Sequence, residues 1–208
     1  MPSKLHAVNS TEHELVKRCQ ESDGSDFQVA YHQLYDLYKN RVFTICLRVT
    51  GNEEDALDAA QETMITLSRR IGDFAYRSRF SSWVYRIAVN AAIDVRRRRL
   101  AGTRGQVTTF LANIEAGSAL EPASTQESAN PTLSVESAES RDAVRQALRR
   151  INPKFASLLV LRYMQNLAYE EIAEVLECSL GTVKSRLNRA HGALREFLER
   201  EGEGPELE

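Results

Sequence analysis

Residues 169–190 read Tyr-Glu-Glu-Ile-Ala-Glu-Val-Leu-Glu-Cys-Ser-Leu-Gly-Thr-Val-Lys-Ser-Arg-Leu-Asn-Arg-Ala, which predicts two short helices joined by a tight turn. Cys178 is small enough for the turn, and the Ser179 hydroxyl can cap the second helix by accepting a backbone N–H near Thr182. The residues predicted to face a core recur at helical spacing: Ile172, Ala173 and Leu176, then Val183, Leu187 and Ala190. This pattern is typical of a helix-turn-helix.

The outward face of the second helix is basic. It carries Lys184, Ser185, Arg186, Asn188 and Arg189 and no acid. Arg, Ser and Asn side chains can read base edges, Lys mainly contacts phosphates, and the free N–H groups of the first turn suit a phosphate. The alternative is an ordinary amphipathic helix with a solvated basic face, but the combined pattern favours a helix that lies in a DNA groove.

The overall composition excludes several classes of protein. The chain has 208 residues, 42% of them apolar, and a net charge of −2, which allows one or two compact domains. No apolar run is long enough to cross a membrane, and the N-terminus lacks a signal-peptide core. The three cysteines and four histidines have no metal-ligand spacing, so we expect buried reduced thiols, no cofactor, no metal and a cytoplasmic location.

Charge is segregated along the chain. Residues 77–104 hold eight arginines against Asp94 alone, whereas residues 105–140 hold five glutamates and no Lys or Arg. Segregation of this kind indicates local contacts with a polyanion rather than nonspecific binding by the whole surface.

The sequence predicts an all-α protein of two small helical domains joined by a flexible linker. Helices are expected at 11–21 after Ser10, at 26–50 ended by Gly51, at 53–71 between an Asn52 cap and Gly72, at 83–100 after Ser81 or Ser82, and again after Asn152-Pro153. In the 53–71 helix, the predicted buried stripe is Leu57, Ala60, Met64, Leu67 and Ile71. The expected boundaries are an N-terminal extension at 1–25, a first domain at 26–100, an acidic linker at 101–140 with a short helical piece near 110–114, a second domain at 141–200 and a disordered acidic tail at 201–208.

A second basic site is predicted around the helix at 83–100. Val84, Ile87, Ala88, Ala91 and Val95 give its core face, while Trp83, Arg86, Asn90, Asp94 and Arg97 share a polar face. The preceding loop offers Phe74, Tyr76, Arg77, Arg79 and Phe80. Aromatic rings interleaved with arginines suit unpaired bases. The alternative is that Trp83 and Phe80 are core residues and the arginines a solvated helix end; Trp83 taken alone favours the core, whereas the loop and the arginines together favour nucleic acid.

The outer face of the 53–71 helix is too acidic for DNA. It carries Asp55, Asp58, Gln61, Glu62 and Arg69. The simplest interpretation is a solvated surface, and the sharper one is a face that docks a protein.

Three motifs resemble segments of bacterial RNA polymerase sigma factors of the extracytoplasmic-function (ECF, group four, sigma-70 superfamily) type. Residues 55–64 (Asp-Ala-Leu-Asp-Ala-Ala-Gln-Glu-Thr-Met) are similar to the family's AEDLxQExF, and residues 80–97 resemble FxxWLxxIAxNxxxDxxR. Residues 181–190 match GTVKSRLxRA closely. Three ordered motifs at family spacing are more specific than any one of them.

The resemblance implies three sets of site residues. An upstream set would read the minus-thirty-five element: Ser179, Thr182, Lys184, Ser185, Arg186 and Arg189. A melting set would open the minus-ten element and capture its non-template bases: Arg77, Arg79, Phe80, Ser82, Trp83, Arg86, Asn90 and Arg97. A docking set would bind the clamp coiled coil of the polymerase large subunit: Asp55, Asp58, Gln61 and Glu62.

The resemblance also implies partners and leaves two rivals. The partners would be core RNA polymerase, through its clamp coiled coil and flap, promoter DNA and a cognate anti-sigma factor, with no membrane insertion. One rival is a stand-alone helix-turn-helix transcriptional regulator, which would need no base-capturing loop. The other is an enzyme acting on nucleic acid, which is disfavoured because the sequence has no convergent carboxylates, phosphate-cradling glycine loop or Ser/His/Asp arrangement.

Overall fold

Every regular element is helical in residues 4–102 and 138–202, the part of the chain that the computed structural model describes. The α-helices are α1 (Lys4–Glu21), α2 (Gly24–Thr50), α3 (Glu53–Arg70), α4 (Phe80–Gly102), α5 (Ala138–Arg150), α6 (Pro153–Leu159), α7 (Tyr169–Leu176) and α8 (Leu180–Gly202). A 3-10 turn (Ile71–Asp73) follows α3, and a π turn (Val160–Met164) extends α6. The all-α prediction is confirmed.

Local capping chemistry fixes several predicted boundaries. Gly51 ends α2 in the left-handed region at φ 86°, where its N–H donates to Leu47 O at 3.0 Å. The Asn52 side chain then accepts the Asp55 N–H at 2.9 Å and starts α3. Asn152 does the same for α6, accepting the Lys154 N–H at 2.8 Å.

Other boundaries differ from the prediction. Helix α1 begins at Lys4 rather than after Ser10, since residues 4–10 contain neither Pro nor Gly to stop it. Helix α4 begins at Phe80, and its first backbone bond runs from Trp83 N–H to Arg79 O at 3.2 Å. Ser81 and Ser82 therefore lie inside α4 and do not cap it. The predicted helical piece at 110–114 and the tail at 203–208 lie outside the described residues.

The first domain is formed by α1–α4, with α2 packed against the other three helices. Its fully buried side chains include Val16, Ala30, Val42, Ile45 and Val84. The predicted stripe on α3 is wrong at Leu57, which is 48% exposed, because Ala56, Ala59 and Thr63 are the buried positions instead. Small side chains let α3 pack closely through the face that carries Ala56, Ala59 and Thr63. Leu57 lies off this face and so remains outside the core.

The second domain is formed by α5–α8 around Leu158, Leu161, Ile172, Val175 and Leu187. It packs directly on the first domain: α2 contacts α5 and α6, and α4 contacts α6 and α7. The buried residues of the two domains consequently form one continuous apolar cluster. No helix within 4–102 or 138–202 combines the length and apolar character needed to cross a bilayer.

Candidate nucleic-acid interface

Helix α8 presents its basic face to solvent because its apolar stripe is buried. Val183, Leu187 and Ala190 pack into the second domain, as predicted. Ser179 Oγ accepts the Thr182 N–H at 3.1 Å, which confirms the predicted cap. The side chains left exposed at the start of this helix are Lys184, Ser185, Arg186, Asn188 and Arg189. Lys184, Ser185, Arg186 and Arg189 of the upstream set therefore share one exposed basic face of α8, while Ser179 and Thr182 form its cap.

Helix α7, the other half of the helix-turn-helix, is held at its N-terminus by a glutamate. Ala168 has no polar side chain, but its N–H donates to Glu171 Oε2 at 2.8 Å. Ile172 and Val175 are fully buried, and Glu177 ends the helix in the left-handed region at φ 48°. The sharp turn that follows orients α8 relative to α7.

The melting set divides into exposed and packed members. Arg77, Asn90 and Arg97 are exposed on the loop and on one face of α4. Phe80 and Trp83 are only 6% and 8% exposed. The packed members therefore lie in the core of the first domain in this arrangement, as the alternative interpretation of these aromatics allowed.

An aromatic cluster fixes the loop before α4. The Phe74 ring lies 5.2 Å from Phe80 and 5.4 Å from Trp83, and Tyr38 meets Phe80 edge-on at 5.7 Å. The Gln20 side chain donates to Phe74 O at 2.8 Å and so ties the loop to α1. The cluster holds the loop cations at the start of α4.

Acidic residues of α7 lie directly against part of the melting set. The Arg79 guanidinium donates to the Glu171 carboxylate, and Arg86 donates to Glu177. Between these two pairs, Ser82 Oγ donates to Glu174 Oε2 at 3.3 Å. A cleft of about 780 Å³ opens beside the contacts, lined by both domains. Sequence reasoning missed this contact, which joins residues more than 90 positions apart.

Arg96 joins the two domains from inside the interface. Its side chain is 5% exposed and donates to the backbone oxygens of Val49 at 2.8 Å, Leu148 at 3.1 Å, Arg149 at 2.5 Å and Ile151 at 2.8 Å. Burial lowers the pKa of this guanidinium to about 10, so it stays charged at neutral pH. The available signal was its spacing, because Arg96 follows the buried Ala88 and Ala92 at steps of four on α4.

The docking set lies on α3. Asp58, Gln61 and Glu62 are exposed, while Asp55 is half-buried. Asp55 pairs with Arg99 at 3.0 Å and Glu62 with Arg98 at 3.1 Å, which orients both carboxylates.

An apolar groove runs beside the docking set between α2 and α3. It has a volume of about 420 Å³, and Leu57, Met64 and Ile65 line it together with Tyr35, Phe43 and Gln61. Leu57 and Ile65 are each about half exposed, at 48% and 49%. Leu57, which the predicted stripe misplaced, thus forms an accessible apolar surface with Ile65 next to the acids.

Reactive or metal-binding chemistry has no support in the described ranges. Cys19 and Cys46 are buried, and desolvation raises the thiol pKa values to about 11 and about 12. Cys178 is half-buried in the helix-turn-helix turn. Among these residues no group of three or more His, Cys, Asp or Glu side chains is placed to hold a metal ion.

Two segments of the chain, one within each helical domain, match known sequence families. Residues 34–101 match Sigma-70 region 2, and residues 141–194 match Sigma-70, region 4. The melting and docking sets fall in the first match and the upstream set in the second.

Several relatives are similar to this chain over most of its length. The ECF RNA polymerase sigma factor SigW of Bacillus subtilis (strain 168) is 33% identical over 193 residues, covering 88% of this chain and 96% of the relative. The ECF RNA polymerase sigma-E factor of Escherichia coli (strain K12) is 32% identical over 186 residues, covering 88% and 92%. The RNA polymerase sigma-H factor of Pseudomonas aeruginosa is 30% identical over 188 residues, covering 89% and 93%.

Two solved structures share the fold. CnrH in complex with the cytosolic domain of CnrY aligns with a TM-score of 0.58 at 19% identity, covering 91% of this chain and 98% of that one. The sigma factor RpoE in complex with the anti-sigma factor NepR from Bartonella quintana aligns at 0.56 and 20% identity, covering 81% and 96%. Because sequence relatives, both domain families and the helical architecture agree, the chain belongs to the ECF RNA polymerase sigma factors, which bind core polymerase and direct promoter-specific initiation of transcription.

Proposed function

We propose that this sigma factor divides promoter recognition between its two domains. The upstream, melting and docking sets defined above are the residues that carry out each part. The observation that carries the proposal is helix α8, whose Lys184, Arg186 and Arg189 are exposed while Val183 and Leu187 anchor its other face. In this proposal residues 26–100 open the minus-ten element, residues 141–200 read the minus-thirty-five element, and 101–140 link them.

At the upstream element, α8 lies in the major groove. Its N-terminal turns approach the base edges, where Arg186 and Ser185 donate hydrogen bonds and Lys184 and Arg189 neutralise phosphates. The helix has 23 residues and extends about 35 Å, so its first turns can enter the groove while its later turns remain in the domain.

At the minus-ten element, the exposed members of the melting set contact the separated strand first. Arg77 and Arg97 are cations for its backbone, and the Asn90 amide can donate to and accept from a flipped base. Phe80 and Trp83 hold the loop in place through the aromatic cluster and border the path of the strand.

The partners follow from the same surfaces. The docking set and the apolar groove beside it fit a helical element such as the clamp coiled coil, and the second domain contacts the flap. An anti-sigma factor is a further expected partner, since the structural neighbour RpoE was solved in complex with the anti-sigma factor NepR. The chain itself supplies no catalysis and acts in the cytoplasm, where the polymerase works.

Reconstituted transcription tests the proposal. Purified full-length chain is added to bacterial core polymerase on genomic fragments, and transcript start sites are mapped. We expect discrete starts preceded by two elements at fixed spacing. A chain that bound DNA as a dimer and gave no polymerase-dependent starts would support the rival stand-alone regulator instead.

Replacing Arg186 with alanine should weaken upstream recognition by about 1–3 kcal/mol at particular base pairs. The exposed side chain leaves the fold unchanged, so the loss measures recognition alone. Competition between promoter variants in holoenzyme binding checks this. An equal loss on every sequence would make Arg186 a phosphate contact only.

Replacing Asn90 with alanine should reduce promoter opening more than duplex binding, by about 1–3 kcal/mol, because the amide acts only on an unpaired base. Permanganate reactivity of promoter thymines measures the opening. The control is Gln28→Ala, which removes an exposed amide from α2. Unchanged thymine reactivity in Asn90→Ala would remove this residue from the melting set.

A further inference from the structure

The second domain covers the part of the first domain that is proposed to hold minus-ten DNA. Glu171 and Glu174 on α7 and Glu177 directly after it follow one another at steps of three. Their partners Arg79, Ser82 and Arg86 advance in the same direction along the start of α4. Because the three contacts follow one another in the same order on both segments, they form a single charged seam.

The acids of this seam offer the melting set the chemistry of a DNA strand. A guanidinium that pairs with a carboxylate uses the same donors that it would use for a phosphate. Arg79 and Arg86 each donate to a carboxylate here, and Ser82 is buried against the third acid. A DNA strand therefore has to displace α7 before it can take these side chains.

Arg96 contributes a second contact that exists only while the domains touch. Three of its four acceptors, the carbonyls of Leu148, Arg149 and Ile151, lie at the C-terminal end of α5. These carbonyls are among the last of the helix, which lack intrahelical partners and favour a positive charge. When the domains separate, both the guanidinium and these carbonyls must find water instead.

The contact geometry is incompatible with simultaneous reading of both promoter elements. Elements named for positions thirty-five and ten are separated by about 25 base pairs, or about 85 Å of duplex. In the structure, side chains of the two domains lie within hydrogen-bond distance of each other. The 35 residues between Gly102 and Ala138 can span up to about 120 Å, so the chain can open far enough.

We propose that the free sigma factor is autoinhibited by its own second domain, which occupies Arg79, Ser82 and Arg86 through the acids of α7 and is fastened by Arg96. The proposal rests on the proposed function of the melting set. The two outer ion pairs are exposed on at least one side and each is individually weak, so binding of polymerase or promoter can release them.

The test uses the full-length chain without polymerase and two measurements. Small-angle X-ray scattering gives the radius of gyration, and fluorescence anisotropy gives the affinity for a single-stranded oligothymidine probe. Glu171→Gln/Glu177→Gln removes both ion pairs and keeps a side-chain oxygen for the Ala168 N–H. Its control, Glu196→Gln/Glu199→Gln, removes the same charge from exposed positions of α8.

Arg96→Ala gives a second test, because its two possible effects on the affinity for DNA have opposite signs. Loss of a cation alone would weaken DNA binding, whereas opening of the interface should strengthen it. The control is Arg98→Ala, which removes an exposed cation from the same helix outside the interface. Circular dichroism verifies helicity, and if Arg96→Ala loses helicity the glutamine pair decides the question.

We expect the glutamine pair and Arg96→Ala to enlarge the radius of gyration and to bind the probe about fivefold more tightly than their controls. If both variants kept the radius of gyration and the probe affinity of their controls, the autoinhibition proposal would be wrong. The assignment of the melting set would still hold in that case, provided that Asn90→Ala impaired promoter opening. Expansion without tighter binding would also overturn it, since the seam would then not compete with DNA. If Asn90→Ala had no effect either, the proposed function of the melting set would fall as well.

Discussion

Replacing Leu187 with alanine is expected to destabilise the second domain by about 2–5 kcal/mol, because it opens a cavity in a tightly packed core. Leu187 is 2% exposed and lies in α8 between two exposed residues, Arg186 and Asn188. Urea denaturation followed by circular dichroism measures the loss. The variant should also fail to read the upstream element, since α8 would no longer be held at a fixed angle.

Arg186→Ala is the matched control for this loss. The two substitutions are adjacent in one helix, yet an exposed truncation away from other contacts changes stability by only about 0.5 kcal/mol. We expect Arg186→Ala to keep the denaturation midpoint and lose base discrimination. If Leu187→Ala left the midpoint unchanged, the buried stripe could not be what orients the recognition helix.

The helix-turn-helix was predictable because its determinants are local. The Ser179 cap, the Val183, Leu187 and Ala190 stripe and the exposed cations all depend on residues within about three helical turns of one another. The same holds for the Gly51 stop and the Asn52 cap, where the side-chain chemistry itself selects the backbone conformation. Each of these predictions is confirmed by a hydrogen bond or by burial.

Helix α3 was harder, because its buried face is made of small residues. A stripe prediction weights Leu57 above Ala56 and Ala59, whereas the structure buries the two alanines and exposes the leucine. Close approach of helices favours small side chains, and a functional surface can require exposed apolar ones. Both preferences depend on what lies opposite the helix, which periodicity does not record.

The seam between the domains could not be predicted from local sequence patterns either, because it also depends on which residues lie opposite each helix. Arg79 and Glu171 are 92 residues apart, and neither differs in type from the solvated charges around it. Arg96 belongs to a run of four arginines, yet it alone among them is buried. Only the relative placement of α4, α5 and α7 shows which of these charges face each other.

Placing aspartate at both Leu57 and Ile65 is expected to abolish association with core polymerase, a loss of at least about 3 kcal/mol. Interface energy concentrates in a few apolar anchors, and a charge left unpaired in a desolvated contact is costly. Both side chains are about half exposed in the free chain, so its folding should be little affected. Co-purification with core polymerase measures the association, and an unchanged thermal midpoint serves as the control for folding.

Charge reversal of the neighbouring acids should behave differently. Asp58→Lys/Glu62→Lys acts on exposed positions at the edge of the groove, so it should slow association and become less severe as salt rises. The aspartate pair should remain defective at every salt concentration, because burial of apolar surface sets the rate of dissociation. Full binding by the aspartate pair would show that the groove is not the docking surface, and a salt-independent defect in the lysine pair would show that the acids lie inside the contact.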